Sequence, residues 1–325
     1  MGAANFGDGE FMVSLVFHGG HYKTGTTSVQ SALRENEAAL RAAGVHYPAN
    51  QEGSQFGKLQ HADLLTNVAE GKFDRAARYL EQIAEEARAA GCQRVLLSSE
   101  LSTSFYMYPA QFEQWIKLVH KTFDDVRYVF VVRNFERYAI SMYRELVKSG
   151  RASFHYDIVR PILVDRLVEQ QRSIAFFRQW DASRVALLDY QALSADRLVH
   201  NTVKSLIGFE VAEEVHLNSS AKKAQNMASL LLNDVYALVG AHLGMYPMST
   251  GVRSIVGASV KRGKLKRAFN EEFAERLEEA FLQVTEKHVK RAAEESCEAV
   301  EQSKLGLPED AVAYLFSETK PAAAA

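Results

Sequence analysis

The chain has 325 residues, 47% of them hydrophobic and 24% charged, with a formal net charge of −2. That length holds one large or two ordinary domains with ample core, and the near-neutral balance argues against a generic nucleic-acid or membrane-surface binder. Any basic site must therefore be local.

Two cysteines, Cys92 and Cys297, form neither a disulfide framework nor a metal-ligand spacing, which points to a reducing, cytoplasmic setting. No apolar stretch approaches the length of a membrane span. The N-terminal apolar run is short and lacks a basic leader, so it reads as a strand and not as a signal peptide.

Met12 to Phe17 is a continuous apolar run of strand length. From Thr26 to Ala43 the apolar positions Val29, Leu33 and Leu40 share one helix face, and Gly44 is a natural left-handed stop. Residues 45–71 are rich in Gly, Gln, Asn and His and read as an irregular surface excursion. Phe73, Leu80, Ile83 and Ala87 mark a second helix closed by Gly91, and Arg94 to Ser98 is a second strand. Pro109 opens a helix bearing Phe112, Trp115, Ile116 and Val119, with Trp115 and Trp180 both expected in core. Val126 to Val132 is a third strand, Asn134 suits an N-cap, residues 161–180 are helical, and Arg184 to Leu188 is a fourth strand. From about residue 195 the pattern is helical, most clearly over 270–300.

Strands alternating with helices predict a parallel sheet covered on both faces. The economical organisation is one domain over 1–317, with an α/β core of about 10–195, a helical part of about 196–317 and a disordered tail at 318–325.

Ligands of such sheets lie beyond the carboxyl ends of the strands, so the residues leaving each strand carry the chemistry. Strand one runs into Gly20-His21-Tyr22-Lys23-Thr24-Gly25-Thr26-Thr27-Ser28. A glycine-containing loop opening a helix presents backbone N–H groups to an anion. Gly20 and Gly25 have the separation of the nucleotide-triphosphate loop, but Thr26 stands where that motif has its lysine, and the lysine is Lys23. Strand two ends in Ser98-Ser99-Glu100. Strand three ends in Arg133, a cation where a Mg²⁺-holding carboxylate would be wanted, with Ser141 eight residues on. An arginine fork there suits a second phosphate.

Tyr22-Lys23-Thr24-Gly25-Thr26-Thr27 resembles the 5′-phosphosulfate loop of the sulfotransferases, and Arg133 with Ser141 resembles their 3′-phosphate site. The string His18 to Gln30 is similar to bacterial members, and Gly44 to Pro48, Leu97 to Glu100 and Leu187 to Tyr190 share that look. The resemblance covers roughly the first 190 residues.

It implies a P-loop NTPase-like three-layer α/β/α fold with a helical C-terminal portion. It also implies sulfuryl transfer from 3′-phosphoadenosine 5′-phosphosulfate (PAPS) to a hydroxyl or amine of an acceptor, a carbohydrate or glycosylated metabolite, with no metal. Lys23 would stabilise the leaving phosphate, and Tyr22, Thr24, Gly25, Thr26, Thr27 and Ser28 would hold the 5′-phosphate. Glu100, His61 and His18 are three open candidates for the base that takes the acceptor's proton. Lys261-Arg262-Gly263 is a faint echo of the family's basic loop over the 3′-phosphate. Two alternatives are a P-loop kinase that uses ATP and a nucleotide-binding module without catalysis. Nothing in the residues specifies an oligomeric state, and neither a nucleic-acid nor a membrane partner is expected.

Overall fold

The computed structural model describes residues 12–20, 23–50, 60–133, 172–179, 182–194 and 197–211, together with 137–138, 141–142, 164, 168–169, 283, 287, 290–292 and 295. The chain divides into two compact units. The first comprises residues 1–133 and 172–217, the second residues 134–171 and 218–325.

The first unit is built on five parallel strands: β1 (Ser14–Gly20), β2 (Val45–His46), β3 (Arg94–Ser98), β4 (Asp125–Val132) and β5 (Val185–Asp189). Their order across the sheet is β2-β3-β1-β4-β5. Chain order moves to one side of β1 for β2 and β3, then to the other for β4 and β5. β1 is therefore the point where the winding reverses, and a crevice opens there between the segments leaving β1, β3 and β4. All four strands of the sequence reading are present, and β1 runs on to Gly20, which brings His18 into the strand.

One helix expected over 26–43 is two, α1 (Thr26–Glu35) and α2 (Glu37–Ala42). Asn36 separates them, with its side-chain amide donating back to the Ala32 carbonyl at 2.8 Å. Such local competition with the backbone is what asparagine does in a helix interior. Gly44 (φ 78°) then ends α2 in the left-handed region.

The excursion over 45–71 is less irregular than its composition suggests. It contains the two-residue edge strand β2 and the helix α3 (Ala62–Ala69). α4 (Phe73–Ala89), closed by Gly91 at φ 67°, and α5 (Pro109–Thr122) fall where the apolar spacing places them. Helix α6 (172–179) is followed by α7 (Tyr190–Leu193) and α8 (Leu198–Ile207).

Alternation along the strands sorts the core into two layers. Val16, Leu96 and Val129 pack with Val29, Ala32 and Leu33 of α1 and Val199, Val203 and Leu206 of α8. Phe17, Tyr128 and Phe130, one residue out of phase, meet α5 and α6 in an aromatic cluster. Phe130 lies 4.7 Å from Phe177 and Phe17 6.0 Å from Trp115, centroid to centroid. Trp115 is fully buried, as its position on the α5 face predicts.

The described residues of the second unit at 137–138, 141–142, 164, 168–169, 283, 287, 290–292 and 295 are helical, and Arg291 pairs with Glu295 one turn on. Asn134, Trp180, Cys297 and most of the expected C-terminal helices lie outside the described residues. No helix among the described residues is long and apolar enough to cross a membrane.

Candidate active site

The segment joining β1 to α1 is shaped for an anion by what it lacks. Gly25 occupies the N-cap of α1 at φ 78°, no side chain caps the first turn, and no acidic residue sits in it. The leading N–H groups of α1 and the positive end of its dipole are therefore unopposed by any carboxylate of the helix's own first turn. Lys23 is the one non-glycine residue at positive φ (65°) among the described residues. That conformation costs an L-residue with a Cβ roughly 1–2 kcal/mol. Arg133 holds it: its Nη1 donates to the Lys23 carbonyl at 3.0 Å. The two cations that the sequence singles out thus meet at one loop.

Close packing explains Gly20. A Cβ there would lie 2.2 Å from Thr26 Oγ1 and 2.8 Å from its Cγ2, while Thr26 itself is buried. Gly20→Ala must push the threonine out of its place, an overpacking worth about 1–3 kcal/mol. We expect a lower urea midpoint with an unchanged slope; an unmoved midpoint would mean that Thr26 is not confined.

Thr24 is also buried, and its Oγ1 lies 3.3 Å from Thr26 Oγ1. Thr27 is exposed and Ser28 half-buried. Tyr22 lies outside the described residues.

The three candidate bases have different surroundings. His61 is fully buried just before α3 and both its ring nitrogens are used by backbone. Nδ1 accepts from the Ser98 N–H at 3.0 Å, and Nε2–H donates to the Pro48 carbonyl at 3.0 Å. Burial holds its pKa down at about 4. With neither nitrogen available, this histidine ties the chain at Pro48 to the end of β3, and a proton-accepting role for it fails on geometry.

His18 is equally buried, and burial holds its pKa at about 4 as well. Its Nδ1 lies 3.0 Å from Ser98 Oγ, which also accepts from Gln30 Nε2 at 3.0 Å. Ser98 then satisfies most groups by donating to His18 Nδ1, which leaves His18 as the Nε2–H tautomer. Its Nε2 has no hydrogen-bond partner among the described residues, and burial disfavours the imidazolium that taking a proton would create. Together Gln30, His18, Ser98 and His61 lock α1, β1, β3 and α3 to one another beneath the crevice.

Glu100 differs from both. Ser99, not Glu100, caps the 3-10 segment Glu100–Met107, by accepting from the Leu101 N–H at 3.2 Å. The Glu100 carboxylate is mostly buried, and its pKa is raised above the ordinary carboxylate range by that burial. A hydrogen bond from Thr26 and the positive charge of Lys23 oppose the rise. A carboxylate raised toward neutrality beside a lysine in a strand-end crevice has the electrostatics of a general base.

Arg133 leaves β4, and its guanidinium lies over the Tyr190 ring, 4.5 Å from the centroid. The position of Tyr190 follows from β5, whose last residue Asp189 caps α7 by accepting from the Gln191 N–H at 2.7 Å. The sequence reading took up the ends of strands one to three and missed Tyr190 as the platform of Arg133. The end of the fourth strand was the signal for it. Ser141 is helical and half-buried in the second unit. Lys261, Arg262 and Gly263 lie outside the described residues. Among the described residues no group of three or more His, Cys, Asp or Glu is placed to hold a metal ion.

A five-stranded parallel sheet with an anion-shaped loop after its central strand, a carboxylate after one neighbour and an arginine after the other defines a phosphate-loop type of α/β protein. The chain belongs to the sulfotransferase family, whose model matches residues 16–209, more than half its length. Among solved structures it is similar to a sulfotransferase from Alicyclobacillus acidocaldarius (13% identity, TM-score 0.36, covering 69% of this chain and 94% of that one). It is also similar to the sulfotransferase domain from the curacin biosynthetic pathway (15% identity, TM-score 0.34, covering 61% of this chain and 76% of that domain). No curated protein matches it. Family membership makes sulfuryl transfer the class of reaction.

Proposed function

We propose that this protein transfers the sulfuryl group of 3′-phosphoadenosine 5′-phosphosulfate to an acceptor hydroxyl or amine. The observation that carries the proposal is the junction of Lys23 and Arg133, in which one cation holds the backbone of the other at 3.0 Å. A donor phosphorylated at two ends needs two cationic sites at a fixed separation, and a rigid link between them supports that use. The donor set fits: an uncapped helix start without acidic residues, the hydroxyls of Thr24, Thr26, Thr27 and Ser28, and Lys23. In this reading Arg133 takes the 3′-phosphate.

In the transfer, a lone pair of the acceptor oxygen forms the new bond to sulfur in line with the bond that breaks. The breaking bond joins sulfur to the bridging oxygen of the 5′-phosphate, and its electron pair leaves on that oxygen. Lys23 stabilises the charge developing there, where a preorganised cation is most effective. Glu100 accepts the acceptor's proton, since backbone groups take both nitrogens of His61 and burial disfavours the charged form of His18. Family analogy makes the acceptor a carbohydrate or glycosylated metabolite.

The test is turnover: the protein is incubated with the donor and a panel of sugars, glycosides, phenols and amines, and adenosine 3′,5′-bisphosphate is measured. Release that depends on a glycoside supports the reading. Release driven by phenols alone removes the carbohydrate assignment, and ATP-dependent phosphorylation of the panel removes the donor assignment.

A further inference from the structure

Gly25 leaves no room for a side chain. A Cβ there would stand 2.7 Å from Cδ2 of Leu198, the first residue of α8. The leucine thus rests directly on the N-cap of α1. α8 is held in that place because Val199, Val203 and Leu206 share a buried cluster with Val29, Ala32 and Leu33 of α1. α7, which leaves β5, carries Tyr190 against the Arg133 guanidinium. Asn201 Nδ2 of α8 donates to the Leu193 carbonyl of α7 at 2.9 Å and ties the two helices together. Arg133 in turn holds the Lys23 carbonyl. These contacts close a circuit from Lys23 through Arg133, Tyr190, α7, α8 and Leu198 to Gly25, two residues from where it began.

We propose that the segment α7–α8 is a bracket that fixes both phosphate sites from behind, with Tyr190 and Leu198 as its positioning residues. This rests on the reading of the loop and of Arg133 as the two sites of one nucleotide. The ribose of such a donor allows its two phosphates a limited range of separations. Sites that moved independently would lose that freedom at every binding event, at a cost in affinity. An arginine at a strand end has many rotamers to lose, and the Tyr190 ring restricts them before any ligand arrives. A glycine N-cap has the widest backbone freedom of any residue, and Leu198 packed on it takes that freedom away. Leu198 has no polar side-chain atom to offer an anion, so its effect on phosphate binding passes through the loop.

The test takes two readouts on the full chain and on Leu198→Ala, Leu198→Met, Tyr190→Leu and Tyr190→Phe. The first is amide hydrogen exchange without ligand. The Val29 N–H donates to the Gly25 carbonyl at 3.1 Å and reports on the loop. The Asn36 N–H donates to the Ala32 carbonyl at 3.1 Å, beyond the last turn of α1, and reports on general loosening. Leu198→Ala should speed Val29 exchange roughly 5–30-fold relative to Asn36, the equivalent of ordering one backbone residue, and Leu198→Met should restore it. The second readout is calorimetry with adenosine 3′,5′-bisphosphate and adenosine 5′-monophosphate. Leu198→Ala should weaken both ligands by the same factor. Tyr190→Leu should reduce the preference for bisphosphate roughly 2–30-fold, the range of a cation–π contact, while Tyr190→Phe keeps the ring and the preference. The bracket is overturned if Val29 exchange in Leu198→Ala rises no more than that of Asn36. It is equally overturned if Leu198→Ala keeps both affinities, or if Tyr190→Leu keeps the preference. A wild type that shows no preference for bisphosphate, with Val29 exchange rising as expected, would instead overturn the two-phosphate reading and leave the Leu198 hold on the loop standing.

Discussion

Lys23→Ala is expected to lower kcat about 10²–10³-fold, the cost of removing one preorganised group from a developing oxyanion. The donor's KM should rise much less, because the loop amides and the Arg133 contact to the residue-23 carbonyl remain. That contact is to backbone and survives the truncation, so the loop keeps its shape. Alanine pays the same left-handed penalty as lysine at φ 65°, so stability should barely move. Steady-state kinetics with the donor varied separates the two outcomes. A large KM effect with kcat preserved would make Lys23 a binding residue and not a group acting on the leaving oxygen.

Glu100→Gln is expected to lower kcat/KM about 10²–10⁴-fold and to erase the acid limb of the pH profile. In the wild type that limb should lie above the ordinary carboxylate range, because burial raises the Glu100 pKa and the base is active only when ionised. The rate therefore climbs as pH rises through the raised value. Stability should move the opposite way from activity. Above its raised pKa the ionised group sits where burial disfavours charge, so folding bears a cost that neutral glutamine removes. His61→Gln is the contrast: it disturbs the bonds to Ser98 and Pro48 and should lower the melting temperature while leaving the acid limb in position. An acid limb lost in His61→Gln and kept in Glu100→Gln would reverse the assignment of the base.

Much of the fold was legible because its signals are local. β3 has the bounds read from its apolar run, α5 starts at Pro109 as read, and the closing glycines Gly44 and Gly91 are at positive φ. What escaped was short or relational. β2 has two residues and owes its existence to pairing with Arg94 and Val95, which no periodicity within 45–46 can reveal. The break at Asn36 depends on a side chain choosing its own backbone.

At the site, Lys23, Arg133 and Glu100 were visible as residues leaving strands, since the switch point of a parallel sheet brings such residues together. Their pairings were not visible. That His61 spends both nitrogens on Ser98 and Pro48, and that Tyr190 lies under Arg133, are contacts between elements far apart in sequence. Composition and spacing carry no information on such partners.

The account stands on two linked cations gripping the two phosphate-bearing ends of one nucleotide, and calorimetry on the 3′-phosphate tests this most directly. Wild type and Arg133→Ala are titrated with adenosine 3′,5′-bisphosphate, adenosine 5′-monophosphate and ATP with Mg²⁺. Comparing the first two ligands cancels any effect of Arg133 on the Lys23 loop, as in a double-mutant cycle. Wild type should bind the bisphosphate roughly 10–100-fold more tightly than the monophosphate, as expected for a charge-assisted contact. That preference should vanish in Arg133→Ala. Equal affinity for the two in wild type, or tightest binding of ATP with Mg²⁺, would contradict the account.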